Sequence, residues 1–505
     1  MVARTLFEAM RRDLRVFRER LRPSPLPARG LHTYRFSPPE GKRRVHLRID
    51  ADGGGVLFID VTDVIRLNPT AARIAHWALE GVLSDLARAS LLGRFGRSSR
   101  DLVERDVASF YSLVERLREP WLGCPTCTLT DVQRTDPFSG EANAPFKADL
   151  ALTYECNNDC PHCYNEPEGL ARDGLLPARD WRRIIDVLCK KGVPHLIFTG
   201  GEATLHPHFL EILQYADTMG PVCGLNTNGR RLAHRGYVDE LQDAGLEHVQ
   251  ITLGSHEAAV HDRMMNARSF HQTVKGIQNA VASGIHTITN TTLMQMNAPD
   301  IEETISFLHG LGIRTFAVNG MIYSGGGFDT GQAILESEMA AHLVRIRDRA
   351  RELDMKFLWY TPTEYCRLSP VELDIGAKRC NAGEYSLCVE PDGSVLPCQS
   401  FYVAAGNLLR DPWEKIWNGS LFRSFRLREL DPVAAGLPDK CHECPDLPLC
   451  GGGCRIEREA RDGVRTSEGS GCGSACGGCG SAATSCAPRP EDGKRRRSSG
   501  QFSPG

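Results

Sequence analysis

The sequence predicts an α/β protein whose central part is a parallel sheet curled into a full or partial barrel. The first of three observations predicts this sheet, and the other two describe the regions that flank it. Strand-like and helix-like segments alternate six times between residues 146 and 345. A strand pair and a capped helix precede them, between residues 31 and 121. Most of the 19 cysteines in the 505-residue chain fall in short-spaced groups, many of them after residue 379.

Composition narrows the function classes. Lys and Arg number 60 against 63 Asp and Glu, and this near-neutral balance argues against a nucleic-acid-binding protein. No apolar run approaches the ~18 residues of a membrane span, and the first residues lack a signal-peptide apolar core. We therefore expect a cytoplasmic protein, in which clustered thiols favour metal ligation or catalysis over disulfides.

Residues 1–30 predict a helix, because apolar side chains from Leu6 to Leu21 recur at helical spacing before Pro23 ends the pattern. We interpret it as a helix packed on its neighbour, with a membrane-surface helix as the alternative.

Residues 31–121 predict a small α+β module. Val45, Leu47 and Ile49 alternate with polar residues, the pattern of a half-buried strand, and 56–59 is the hairpin partner. Asn68 can cap a helix that starts at Pro69. A further helix is predicted at 103–117.

The run from Gly55 through Asn68 to Gly81 resembles the PqqD-like peptide-recognition domain, a winged-helix-like α+β module. A winged-helix DNA reader is the alternative. Residues 122–145 are interpreted as a linker, where Cys124 and Cys127 could be a redox pair, a metal half-site or two ordinary thiols. We expect no catalytic role for them.

The barrel prediction covers residues 146–345, and its functional residues are expected at the carboxyl ends of the strands. The predicted strands are 148–152, 195–198, 222–225, 248–253, 287–293 and 315–318, with helices such as 181–191 and 300–311 between them.

Cys156, Cys160 and Cys163 follow the first predicted strand with the spacing CxxxCxxC. Three thiolates in so short a loop suit three corners of a [4Fe–4S] cube with one iron open, whereas a structural zinc usually takes four protein ligands. A zinc knuckle is the alternative. The motif resembles the radical S-adenosylmethionine (SAM) family, which implies a partial (β/α)6 TIM-like barrel.

That resemblance implies SAM contacts at the ends of later strands. Gly200, Gly201 and Glu202 match the run that holds the methionine amino group of SAM. Asn226 lies in the matching third-strand ending, and Thr252 retains a hydroxyl in the fourth. The family often carries Arg where Met265 stands, so Arg263 is the candidate substitute.

Residues 379–472 resemble the SPASM domain, which carries two auxiliary [4Fe–4S] clusters. By position, the first would bind Cys380, Cys398 and Cys454, with Cys388 a possible fourth ligand. The second would bind Cys441, Cys444, Cys450 and Cys472. A zinc ribbon at 441–454 is the alternative.

Residues 346–378 are interpreted as a bridging segment, and 473–505 as a disordered tail. The tail contains Cys476, Cys479 and Cys486, which are inert thiols or mimic a Cys/Gly-rich peptide.

Taken together, the resemblances imply a radical SAM/SPASM peptide maturase. It would cleave SAM to a 5′-deoxyadenosyl radical and cross-link a ribosomally made precursor peptide, for example by a thioether, with electrons from ferredoxin or flavodoxin. A sulfatase-type formylglycine maturase and an epimerase using Cys223 or Cys366 as hydrogen donor are alternatives. A non-catalytic iron–sulfur electron carrier is another. No side chain stands out in the sequence as a catalytic acid or base.

Overall fold

A computed structural model describes residues 27–37, 43–60, 63–118, 142–165, 175–461 and 463. The predictions for the N-terminal helix, for Cys124 and Cys127, for Cys472 and for the tail lie outside these residues. Within them, no helix combines the length and the apolar character needed to cross a membrane.

The N-terminal module is a four-stranded antiparallel sheet covered by three helices. Its strands lie in chain order, β1 (Gly30–Phe36), β2 (Arg43–Ile49), β3 (Gly55–Ile59) and β4 (Asp63–Leu67). Its helices are α1 (Pro69–Leu79), α2 (Ser84–Phe95) and α3 (Arg100–Arg116). The predicted hairpin is β2–β3, and the cap is confirmed because Asn68 Oδ1 accepts the N–H of Ala71 at 2.9 Å.

The prediction that the strand around Val45 is half-buried is wrong, because both faces of β2 are buried. Its polar face lies against the loops that lead into the barrel strands. Arg44 donates to the carbonyl of Gly220 at 3.1 Å and contacts Asp217 at 2.7 Å. His46 Nε2 lies 2.9 Å from the same Gly220 carbonyl oxygen. These partners replace water, so polar side chains occupy positions that usually face solvent.

The central sheet confirms the six predicted strands and adds a seventh. They are β5 (Lys147–Thr153), β6 (His195–Gly200), β7 (Val222–Thr227), β8 (His248–Thr252), β9 (His286–Thr292), β10 (Thr315–Asn319) and β11 (Lys356–Trp359), parallel and in chain order. The last strand lies within the predicted bridging segment, so the sheet extends beyond residue 345.

Eight helices accompany these strands. They are α4 (Ala178–Lys190), α5 (Phe209–Met219), α6 (Arg235–Asp243), α7 (Ala258–Met265), α8 (Phe270–Ser283), α9 (Ile301–Gly310), α10 (Gly326–Asp329) and α11 (Glu336–Glu352). One apolar core lies between the sheet and the flanking helices, and it includes Leu150, Phe198, Leu225 and Ile251. The alternate residues of the same strands face the lumen.

The cysteine-rich region continues the same sheet. Its first strand, β12 (Ser386–Val389), pairs in parallel with β5, while β13 (Ser394–Leu396) and β14 (Gly406–Asn407) follow antiparallel. Four short helices, α12 (Trp413–Trp417), α13 (Ser420–Arg426), α14 (Leu447–Cys450) and α15 (Arg455–Arg461), complete it. Because β12 and β5 are parallel, the residues that follow them meet at the same end of the barrel.

Basic side chains begin several barrel strands and form the lumen floor beneath the N-terminal module. His195 Nε2 and His248 Nε2 lie 2.7 Å apart, so the pair shares one proton. Gly224 makes this possible, because a Cβ there would come within 2.2 Å of the His248 ring. Burial lowers the pKa of His248 to about 4 and that of His195 well below its usual 6.5, with Lys147 adding to both shifts.

These lowered pKa values predict acid-sensitive stability. Unfolded histidines take up protons near pH 6.5, while the folded pair stays neutral until about pH 4, so the free energy of unfolding should fall as pH drops between these values. Urea midpoints of the cluster-free protein at pH 7 and pH 5 measure this. We expect His248→Gln to reduce the difference between them, and His271→Gln, at an exposed site, to leave it unchanged. An equal pH dependence in all three proteins would contradict the assignment.

Candidate metal and cofactor site

The cysteine loop, residues 154–165, carries Cys156, Cys160 and Cys163 at the carboxyl end of β5. All three are free thiols. Burial, with the neighbouring thiols adding to it, raises the pKa of Cys160, and burial raises that of Cys163. The thiolate form of these cysteines is therefore unfavourable unless a cation lies beside them, and an iron centre would supply that positive charge. This donor set fits an iron–sulfur cube.

Polar groups of the barrel contact the cysteine loop at residues 157–159. Arg230 donates to the carbonyl of Asn157 and, at 3.1 Å, to the Asn158 side chain. Asn228 Nδ2 donates to Asn157 Oδ1 at 2.6 Å, and the N–H of Asp159 donates to the Met265 carbonyl at 3.1 Å. Arg230 was not among the predicted site residues, although it lies only four residues after Asn226.

Two glycines after β10 pack directly on the backbone of the loop. The N–H of Gly326 donates to the Cys163 carbonyl at 2.8 Å. A Cβ on Gly326 would lie 2.2 Å from the Pro161 oxygen, and one on Gly325 would lie 2.6 Å from the Cys163 oxygen. Any side chain here would push the loop away, so the close approach requires glycine. The three successive glycines at 325–327 were the available signal, and the sequence analysis did not use it.

The Gly200–Glu202 run joins the ends of β5, β6 and β7. Gly200 has φ +126°, and a Cβ there would lie 2.2 Å from the Thr153 oxygen. The Glu202 carboxylate is buried and accepts the Thr227 hydroxyl at 2.9 Å and the Asn228 N–H at 2.8 Å. Its side chain is thus engaged within the protein, and the N–H groups of Gly201 and Glu202 donate to the Thr153 and Glu155 carbonyls at 2.7 and 2.8 Å. Burial raises the pKa of Glu202 despite these hydrogen bonds.

Strand register places polar side chains on adjacent lumen positions. Asn226 pairs with Gln250, and Thr252 pairs with Asn290, all on the face opposite the apolar core. Among the described residues, the buried Oδ1 atoms of Asn290 and Asn319 have no hydrogen-bond partner. Such atoms favour a ligand that brings donors into the lumen, as the amino and hydroxyl groups of SAM would. Neither asparagine was predicted as a site residue, although each stands at the period-2 lumen position of its strand.

Met265 and Arg263 lie on opposite sides of α7. Met265 is buried with Met264, Met294 and Met321, and its sulfur lies 3.5 Å from Cys160 Sγ. At the position where the family often has an arginine, this chain therefore has a cluster of apolar methionine side chains, which we call the methionine wall. Arg263 is exposed, and no hydrogen bond or ion pair links it to the described part of the cysteine loop.

The first auxiliary set is brought together in space. Cys380, Cys398 and Cys454 pack against one apolar cluster that includes Phe401, and burial raises the pKa of Cys398 to about 12. Cys388 lies apart from that cluster, fully buried in the lumen beside Ala151. The structure therefore groups three of the four predicted ligands and gives Cys388 a different environment.

The second auxiliary set is described in part. Cys441 and Cys444 share a small apolar cluster, and the N–H of Tyr365 donates to Cys450 Sγ at 3.3 Å. Burial, with Glu364 adding to it, raises the pKa of Cys441.

The two thiols considered as hydrogen donors lie outside the lumen. Cys223 is fully buried in the core between sheet and helices. Cys366 is exposed, 3.4 Å from Lys440 Nζ. Neither placement favours an epimerase.

Residues 150–308 match the family model described as "Radical SAM superfamily", and residues 380–445 match SPASM, described as "Iron-sulfur cluster-binding domain". A PqqA peptide cyclase of Streptomyces rochei is 27% identical over 350 residues, 67% of this chain and 91% of that protein. An AdoMet-dependent heme synthase of Oleidesulfovibrio alaskensis is 25% identical over 343 residues, 63% of this chain and 84% of that protein.

Among solved structures, Streptococcus suis SuiB bound to precursor peptide SuiA superposes with a TM-score of 0.60 at 16% identity, covering 84% of this chain and 96% of that one. SuiB bound to S-adenosylmethionine gives 0.61 at the same identity and coverage. At this identity the likeness shows the fold.

We expect Gly326→Ala to displace the cysteine loop, because its Cβ would collide with the Pro161 carbonyl oxygen. Iron and sulfide assays after anaerobic reconstitution should show the loss of one cluster, about four iron atoms per chain. Gly310→Ala is the matched control, since a Cβ at Gly310 meets nothing within 4 Å. Full iron content in Gly326→Ala would show that the close approach is not needed.

Proposed function

Because this chain contains a radical SAM domain and a SPASM iron–sulfur domain, we propose that it is an enzyme that oxidatively modifies a ribosomally made precursor peptide. The cofactors of these domains are [4Fe–4S] clusters and SAM. The modification we propose is a cross-link, for example a thioether from a cysteine sulfur to a carbon of the same peptide.

The observation that carries the proposal is the cysteine loop at the mouth of a polar lumen. Cys156, Cys160 and Cys163 supply three thiolates, and the unpartnered oxygens of Asn290 and Asn319 offer acceptors to SAM. When bound, the cluster and SAM supply a 5′-deoxyadenosyl radical that takes a hydrogen atom from carbon.

The chain's own residues would bind the cluster, orient SAM and shield both from water. We propose that Cys156, Cys160 and Cys163 hold the first cluster and that the Gly200–Glu202 backbone, Asn226 and Thr252 contact SAM. Arg263, at the exposed face of α7, remains a candidate for the SAM carboxylate. The methionine wall at Met265 excludes water from the Cys160 side of the site.

The two auxiliary cysteine sets are consistent with an oxidation of the peptide. Forming a C–S bond from C–H and S–H removes two hydrogen atoms from the peptide, so an electron must leave after the first hydrogen abstraction. We propose that Cys380, Cys398 and Cys454 hold one electron-accepting cluster. Cys441, Cys444 and Cys450, with Cys472, would hold the other.

The substrate class rests on relatives and on the N-terminal module. Relatives named PqqA peptide cyclase and a fold neighbour bound to a precursor peptide support a peptide substrate. We propose that the module at residues 31–121 recognises the leader of a Cys-rich precursor. Ferredoxin or flavodoxin would supply the first electron in a reducing cytoplasm.

The test is anaerobic incubation of the reconstituted protein with SAM, dithionite and a short Cys-rich precursor peptide, to be sought among the reading frames that neighbour its gene. We expect 5′-deoxyadenosine by chromatography and, by mass spectrometry, the loss of two hydrogen atoms per cross-link. Cys160→Ala should abolish both, because the cube loses a ligand.

Three other outcomes would each point elsewhere. Without 5′-deoxyadenosine the protein is an electron carrier or scaffold. Solvent deuterium in a peptide of otherwise unchanged composition indicates an epimerase. A single Cys or Ser converted to an aldehyde indicates a formylglycine-forming maturase.

A further inference from the structure

The auxiliary region contacts both ends of the cysteine loop. We call residues 380–403 the auxiliary segment, because it carries Cys380 and Cys398. At the start of the loop, the Tyr154 hydroxyl donates to the carboxylate of Glu390. At its end, the Tyr402 hydroxyl donates to Asn165 Oδ1 at 3.4 Å.

The first contact follows from the sheet. Tyr154 is the residue directly after β5, and Glu390 is the residue directly after β12. These strands are parallel neighbours, and Val389 pairs with Leu150, so Glu390 lies level with Ala151. The Tyr154 side chain, three residues further along, reaches it at the mouth of the barrel. Glu390 and the ring of Tyr154 are both withdrawn from solvent, and Cys388 Sγ lies 3.6 Å from Glu390 Oε1.

The second contact reaches the proposed SAM segment. While Asn165 Oδ1 accepts from Tyr402, its Nδ2 donates to the Gly200 carbonyl at 3.0 Å. Tyr402 therefore fixes which way the Asn165 amide points, and the amide fixes the Gly200 peptide. Tyr402 itself is buried, four residues after Cys398.

We propose that Glu390 and Tyr402 are positioning residues through which the auxiliary segment sets the geometry of the cysteine loop and of the Gly200 run. The proposal rests on the proposed function of those two segments. Because Glu390 lies between Cys380 and Cys398, and Tyr402 lies four residues after Cys398, a cluster bound by these two cysteines would restrain both side chains before SAM arrives. The barrel's own contacts to the loop, by comparison, concentrate on residues 157–159, where they reach both backbone and side chains.

Tyr402→Phe tests the second contact in the reconstituted full chain, with SAM as the probe. Calorimetry should show SAM binding weakened by about two- to tenfold, the effect of losing one hydrogen bond, at unchanged iron content. The change that SAM produces in the EPR spectrum of the reduced protein should differ from wild type. Tyr111→Phe is the matched control, because its hydroxyl donates to the Val82 carbonyl at 2.8 Å inside the N-terminal module.

The first contact is tested by Tyr154→Phe, Glu390→Ala and the double variant. If Tyr154 and Glu390 act through their shared hydrogen bond, the double variant should bind SAM no more weakly than either single variant. Glu390→Gln, which still accepts from Tyr154, should retain most of the affinity. If Glu390→Ala fails to fold, Tyr154→Phe and Tyr402→Phe carry the test.

Unchanged SAM affinity and EPR spectra in Tyr402→Phe and Tyr154→Phe would overturn the proposal, as would effects no larger than that of Tyr111→Phe. Its failure is distinct from failure of the proposed function, in which the wild-type protein itself forms no 5′-deoxyadenosine.

Discussion

The parallel ladder between β5 and β12 is the interaction on which the arrangement of the sites depends. Through it one strand carries the cysteine loop at its carboxyl end and borders the auxiliary region along its side. Strand spacing of about 4.8 Å fixes the two backbones more tightly than any loop contact could. Phe146, just before β5, reinforces the junction, since its ring lies 5.0 Å from that of Phe58 and 4.7 Å from that of Tyr385. All three regions of the chain therefore meet at the start of a single strand.

Around β5, the chain segments next to the expected cofactor site approach one another through close backbone contacts. The other contacts in this region are made by side chains. Gly200 and Gly326 bring two neighbouring chain segments within reach of the cysteine loop, which is possible only without a Cβ. Glu202, buried and acidic, ties the ends of β6 and β7 together through Thr227 and Asn228. These contacts restrain the site through groups of the protein itself, and such preorganisation is a general requirement for controlling reactive intermediates.

The local sequence pattern predicted those features of the fold and the site that depend on the spacing of residues within one segment. The six parallel strands, the Asn68 cap and the three thiols of the cysteine loop all follow from periodicity or from a short motif. Pairing across long sequence separations was not predictable in this way. The position of β12 beside β5, the burial of His46 and the approach of Gly326 to Pro161 each involve segments far apart in the chain, and no local pattern encodes such partners. The same limit applies to Glu202, because its partners Thr227 and Asn228 lie about 25 residues further along the chain.

The buried polar face of β2 bears on how truncated forms of this protein will behave. Arg44 and His46 are buried against the end of α5, where they contact Asp217 and the Gly220 carbonyl. Deleting the first hundred or so residues would open the underside of the barrel to water and leave Asp217 without its cationic neighbour. Loss of activity in a shortened chain would then report a damaged scaffold, so the proposed recognition of a peptide leader is better tested with point substitutions on the outer surface of the module.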